Sequence, residues 1–237
     1  MFTYKKIKAS DMNLRVLNQI GFTSPMRDIE LINVPGRDGE LIMDNGRYHS
    51  VVRSIPCRIE ARRDNIEQLM NRIHNWLGTD HKYHDFLWHN DLDFVYKAKI
   101  EGQIESQRVL SRLSLIDINL RIHPIKYLRS SLREREIKNG SVIVNTQALE
   151  AKPMIRIVGS GNITLQIGDQ RVILENLPEG CIIDSETQTI TNLAQTTTLF
   201  SHMRSYPFPK LISGNNKLTW NANHMQVFIA PRLGALV

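Results

Sequence analysis

The feature that most limits what this chain can become is a period-two alternation of apolar and polar side chains, which recurs along most of its 237 residues. Successive side chains of a strand point to opposite faces, so such a pattern predicts half-buried β-strands. Ile55, Cys57 and Ile59 share one face while Ser54, Arg58 and Glu60 share the other; Phe94, Tyr96, Ala98 and Ile100 repeat this against Val95, Lys97 and Lys99. The longest run extends from Arg108 to Ile122, where Ile116, Ile118, Leu120 and Ile122 oppose Asp117, Asn119 and Arg121. As one strand it would reach on the order of 45 to 50 Å at about 3.3 Å per residue. Val109, Leu113 and Leu115 make its second face apolar near the start. A strand of that kind is expected to meet a second layer or another subunit.

One segment has a different period. Ile66, Leu69, Met70, Ile73 and Leu77 are spaced three and four apart, the stripe of an amphipathic helix. Asp64 with Glu67 forms a capping box at its start, and Gly78 is placed to end it in a left-handed turn. One helix among many strands predicts a mainly β fold.

Between about residues 130 and 139 the sequence becomes charged and poorly patterned, and after it short strands alternate with turn signals such as Gly159-Ser160-Gly161-Asn162 and Ser213-Gly214-Asn215-Asn216. That spacing predicts a compact β-sandwich. The expected domains are therefore 1–135, a β domain carrying the helix, and 136–237, the sandwich. The net charge of +6 is spread rather than clustered: 20 basic and 16 acidic residues lie in 1–130, and 10 and 8 in 131–237. This argues against a phosphate-tracking surface. No signal-peptide core follows Lys5-Lys6, and no window approaches the roughly 18 to 20 apolar residues of a membrane span. Synthesis in a cytoplasm and no membrane partner are the expectations. Cys57 and Cys181, in apolar alternating segments, read as small core residues.

The search for chemistry yields no catalytic, cofactor-binding or metal-binding residues. Asp80, His81, His84, Asp85, His89, Asp91 and Asp93 are metal-ligand types, but their spacing places them in a polar loop joining the helix to the strand at Phe94. There is no Gly-x-Ser-x-Gly elbow and no phosphate loop. Tyr206, Phe208 and Trp220 provide an alternative reading, in which the sandwich stacks its aromatic rings on sugars and assists attachment to a cell wall.

Two stretches carry a family likeness. Ile29-Glu30-Leu31-Ile32-Asn33-Val34-Pro35-Gly36-Arg37-Asp38-Gly39-Glu40-Leu41, followed by the strand at Ile55, the helix ending in Trp76-Leu77, and the strand closing at His123-Pro124-Ile125-Lys126-Tyr127, resembles the N-terminal domain of the distal tail protein (Dit) family of long-tailed, non-contractile bacteriophages. Pro153-Met154-Ile155-Arg156-Ile157, Phe208-Pro209-Lys210-Leu211, Trp220 and Val227-Phe228-Ile229-Ala230-Pro231-Arg232 resemble its galectin-like C-terminal sandwich. The resemblance implies a structural, non-enzymatic virion protein without cofactor. In that family N-terminal belt domains form a homohexameric ring at the tail tip, between the tail tube protein and a hub or fibre protein, and the tape-measure protein and DNA pass through its channel. The turn at Gly36, Arg37 and Asp38 is then the expected inter-subunit contact, with Arg37 and Asp38 pairing across the boundary.

Overall fold

The structure is a computed structural model that describes residues 1–17, 23–61, 65–110 and 112–237. It is mainly β, with a single α-helix among the described residues. The chain forms two compact units, Met1–Lys126 with Leu236–Val237, and Tyr127–Ala235. The division thus precedes the charged stretch at which the sequence suggested a boundary. That stretch is tied into the second unit: Ser131 Oγ donates to Leu128 O at 2.7 Å, and the Arg232 amide donates to Ser131 O at 3.0 Å.

In the first unit, β1 (Phe2–Tyr4), β2 (Ile7–Lys8), β3 (Leu14–Val16), β6 (Val51–Glu60), β7 (His84–Trp88), β8 (Asp91–Ile100) and β10 (Leu113–Ile122) form one sheet in the order β2-β1-β7-β8-β10-β6-β3. The alternation seen in sequence becomes its two faces. Ile55, Cys57, Ile59, Ile116, Ile118 and Leu120 are buried together with Ile66, Leu69, Ile73, Trp76 and Leu77 of α1 (Ile66–Gly78). Each fully buried Leu or Ile contributes about 1.5 to 3 kcal/mol relative to exposure. The N-terminal strand is pinned by the same helix, because Trp76 Nε1 donates to Tyr4 O at 3.2 Å and Phe2 stacks on Trp76 and Phe86. Two further strands, β4 (Arg27–Ile32) and β5 (Leu41–Tyr48), make a separate two-stranded sheet.

Three local expectations are corrected. The long run 108–122 is not one strand: β9 (Glu105–Leu110) folds back antiparallel on β10, with Gln107 opposite Leu115 and Glu105 opposite Asp117. No Gly, Pro or Asn lies between the two strands in the sequence, so the strongest turn signals are missing there. At the helix start, Asn65 is the cap, its side-chain oxygen accepting from the Glu67 amide at 3.1 Å; Asp64 lies outside the described residues. At the other end Gly78 is still helical and Thr79 closes the helix in a right-handed conformation, so no left-handed glycine is used.

The chain crosses between the units along β11 (Ile125–Leu128) and, near the end, β21 (Gly234–Leu236). The second unit is the expected sandwich. One sheet has the order β12-β20-β14-β17-β18, from β12 (Arg135–Ile137), β20 (Gln226–Ala230), β14 (Met154–Val158), β17 (Gly180–Asp184) and β18 (Thr189–Thr191). The other has the order β13-β19-β15-β16, from β13 (Val142–Asn145), β19 (Gly214–Trp220), β15 (Gly161–Ile167) and β16 (Gln170–Leu177). Inward Ile155, Ile157, Ile183, Val227 and Ile229 of the first sheet meet Ile163, Leu165, Val172 and Leu218 of the second. Gly180 sits at φ +137°, and a Cβ there would lie 2.2 Å from Ile157 O. Arg232 closes the unit, forming two bonds to Asp184 at 2.7 and 2.9 Å while Tyr127 Oη donates to Glu186 at 2.5 Å.

Two outcomes follow for stability. Ile73→Ala should lower the unfolding free energy by about 2 to 5 kcal/mol in urea titration, whereas Val52→Ala, on an exposed position of the same sheet, should change it by about 0.5 kcal/mol or less. Gly180→Ala should destabilise more than an ordinary strand glycine substitution, because backbone rather than a flexible side chain obstructs the methyl group.

Candidate assembly surface

The β4–β5 hairpin brings the sequence-identified turn to a tip. Its register pairs Ile29 with Asp44, Glu30 with Met43, Leu31 with Ile42, and Ile32 with Leu41. Cross-strand partners share a face. Toward the tip, one face therefore carries Ile29, Leu31 and Ile42 and the other Ile32, Leu41 and Met43. All six are exposed, Leu31 at 52% and Ile42 at 64%. Monomeric proteins rarely leave a contiguous apolar surface in water, and an isolated two-stranded hairpin is marginally stable at best.

Polar bonds secure the base instead. Arg27 donates to Asp44 Oδ2 at 2.7 Å and to the Tyr48 hydroxyl at 2.9 Å, and its guanidinium lies 5.1 Å from the Tyr48 ring centre. On the other face Arg47 and Asn45 donate to Asp28 at 2.5 and 3.3 Å. Exposed ion pairs contribute about 0 to 1 kcal/mol each, so these bonds select the register more than they stabilise the fold. The hydrogen bond from Arg27, then the Gly46 amide, holds Asp44 below the usual carboxylate range; Arg47 and Asn45 do the same for Asp28.

Gly36, Arg37 and Asp38 occupy the tip and are exposed, with the Arg37 amide donating to Val34 O at 3.2 Å. Gly36 and Gly39 have φ of +79° and +77°, and a methyl group on either would meet nothing within 4 Å, so the turn requires their conformational freedom rather than their small size. The sequence marked the turn but not the apolar hairpin behind it. The signal was present in the contiguous pairs Leu31-Ile32 and Leu41-Ile42, which break the alternation expected of a strand with one wet face.

The other sequence candidates separate. Tyr206 is 80% exposed, but Phe208 and Trp220 are 8% and 9% exposed and belong to the sandwich core, so the three rings do not form one stacking surface. The His and Asp stretch is not simply a loop, since it contains β7 and the start of β8. Asp80 bonds His84 at 2.7 Å and Lys5 at 3.1 Å, and its carboxyl is held down to about 2, with the His84 bond the largest cause. Asp85 pairs with Lys97, and Asp91 with Lys126 and Tyr96. Among the described residues no group of three or more His, Cys, Asp or Glu side chains is arranged to hold a metal. Burial pushes the Cys57 and Cys181 thiols up to about 12.

The two lowered carboxylates give the hairpin a pH dependence. A depressed folded-state pKa contributes stability that is present above the unfolded value near 3.9 and is lost as pH falls through the folded one. Amide exchange in Arg27–Tyr48 should therefore accelerate below about pH 4 relative to β10, and Asp44→Asn should abolish most of that acceleration.

No protein-family model and no curated protein matches the sequence. Among solved structures, the Dit protein of phage SPP1, described as a paradigm of the hub adsorption apparatus in phages infecting Gram-positive bacteria, matches with a TM-score of 0.73 over 96% of both chains at 12% identity. At that identity the likeness is one of fold. The mainly β chain with its single helix and its sandwich therefore shares, over nearly its whole length, the fold of a phage Dit protein, as the sequence resemblance implied.

Proposed function

We propose that this chain is a structural virion component, a distal tail protein at the tip of a bacteriophage tail. Its copies assemble into a homohexameric ring that joins the tail tube protein to a hub or fibre protein, and the tape-measure protein and DNA pass through the central channel. The observation that carries this reading is the fold likeness to a hub protein over 96% of both chains.

The apolar hairpin supports self-assembly. Its six exposed apolar side chains lie on both faces, so one flat contact would cover only half of them, whereas insertion between neighbouring subunits covers both. The turn at Gly36, Arg37 and Asp38 then meets a neighbouring copy. The charges suit passage of DNA without sequence-specific binding: Lys97 is neutralised by Asp85, Arg121 by Glu101 and Arg58 by Glu60, at 2.6, 2.6 and 2.7 Å. The reading assigns the chain no reaction and no cofactor. The carbohydrate alternative is not favoured, because two of its three rings are buried in the core.

Negative-stain images and sedimentation of the purified chain, alone and with its tail tube partner, test the proposal. Rings with a central hole are expected. Leu31→Arg combined with Ile42→Arg should abolish them while leaving the circular dichroism spectrum and melting temperature of the monomer unchanged, and Arg37→Glu should weaken them. Only compact monomers under every condition would contradict the reading.

A further inference from the structure

Asparagine is followed by glycine twice in this chain, at Asn45-Gly46 in β5 and at Asn139-Gly140 before β13. An asparagine amide is open to attack by the backbone nitrogen of the residue that follows it, and glycine, with no Cβ, leaves that nitrogen uncrowded. Both pairs are exposed, so bonding rather than burial separates them.

At Asn139 the amide is held at both ends. Its Nδ2 donates to Trp220 O at 2.6 Å, its Oδ1 accepts from the Trp220 amide at 3.0 Å, and the Gly140 amide donates to Leu218 O at 2.8 Å. The attacking nitrogen and the group under attack are therefore both tied to β19. Asn45 instead lies where the β4–β5 ladder is broken. Between the pairs Arg27 with Tyr48 and Ile29 with Asp44, the single residue Asp28 faces Asn45, Gly46 and Arg47. Gly46 stands at φ +70°, and its amide donates to a side chain, Asp44 Oδ1, at 2.8 Å. The Asn45 Nδ2 makes long bonds to Asp28 and Glu30, at 3.3 and 3.5 Å.

We propose that Asn45 is a site of spontaneous deamidation, through a cyclic imide formed with the Gly46 nitrogen. That nitrogen bonds to Asn45 Cγ and gives up its proton, for which Asp44 Oδ1 is an acceptor already in place. The Cγ–Nδ2 bond breaks, and Nδ2 takes up a proton and leaves as ammonia. Water then opens the ring at either carbonyl, giving aspartate or isoaspartate. A donor that faced Asp28 and Glu30 thereby becomes a third carboxylate beside them, a like-charge cluster that opposes the pairing of the two strands. Isoaspartate also adds a methylene to the backbone inside the bulge. Conversion loosens the hairpin base that Arg47 and Asp28 secure.

The test incubates the full-length chain at mildly alkaline pH and digests it with trypsin, which releases Asp38–Arg47 with Asn45 as its sole asparagine. Peptide mass spectrometry should show Asn45 converting at least about tenfold faster than Asn139, because the cost of local opening differs between the two sites. Aspartate and isoaspartate should both be present. Amide exchange in Arg27–Tyr48 should be faster in the aged chain than in the fresh one. An Asn45→Gln variant, which keeps the side-chain donor but whose longer side chain disfavours ring closure, should show no such change on ageing. Asn45 persisting as long as Asn139 would overturn the site, and conversion to aspartate without isoaspartate would overturn the imide route. A converted chain whose hairpin exchanges as before would overturn the loosening of its base.

Discussion

A strand at the margin of a sheet leaves a row of N–H and C=O groups without partners, and a mainly β chain must dispose of every such margin. The two units answer this constraint differently. The second presses two sheets face to face so that their inner side chains form a core, and in one of those sheets the marginal strands β12 and β18 are only three residues each. The first covers one face of its sheet with α1, but among the described residues it leaves the β9 edge open and sets the β4–β5 hairpin apart as a sheet of two. Its core is complete without the hairpin, because the buried cluster runs from Phe2 and Tyr4 through Ile55 to Leu120 and includes no residue of β4 or β5.

In the proposed function that separation divides folding from assembly. The burial of Leu69, Ile73 and Leu77 against Ile118 and Leu120 is internal to one chain and accounts for the stability of the first unit. The hairpin contributes little to it, being held at its base by exposed ion pairs of Arg27 with Asp44 and Arg47 with Asp28. In the proposed function its apolar outer half acts only when another copy covers it.

How much of this could be read from sequence depended on whether the deciding interaction was local. The faces of β6, β8 and β10 and the stripe of α1 follow from periodicity, because each strand or helix buries one face within the chain. The reversal between β9 and β10 did not show, since no Gly, Pro or Asn lies between Leu110 and Leu113. Phe208 and Trp220 entered the alternative stacking reading by residue type alone; the packing of the two sheets places them inside. The hairpin was legible at its Pro35-Gly36-Arg37-Asp38-Gly39 turn, where backbone conformation is set locally. Its outer half left only the contiguous pairs Leu31-Ile32 and Leu41-Ile42 as a signal, and such pairs also occur in strands buried on both faces, so exposure could not be read from them.

Amide hydrogen exchange of Arg27–Tyr48, followed in the dilute monomer and in the assembled particle, tests most directly whether the hairpin belongs to the assembly rather than to the fold. The account predicts fast exchange in the monomer, while β10 stays protected, and strong protection of the outer half, Ile29–Ile32 and Leu41–Met43, once copies associate. Equal protection in both states, or a hairpin still exchanging freely in the assembled particle, would contradict it.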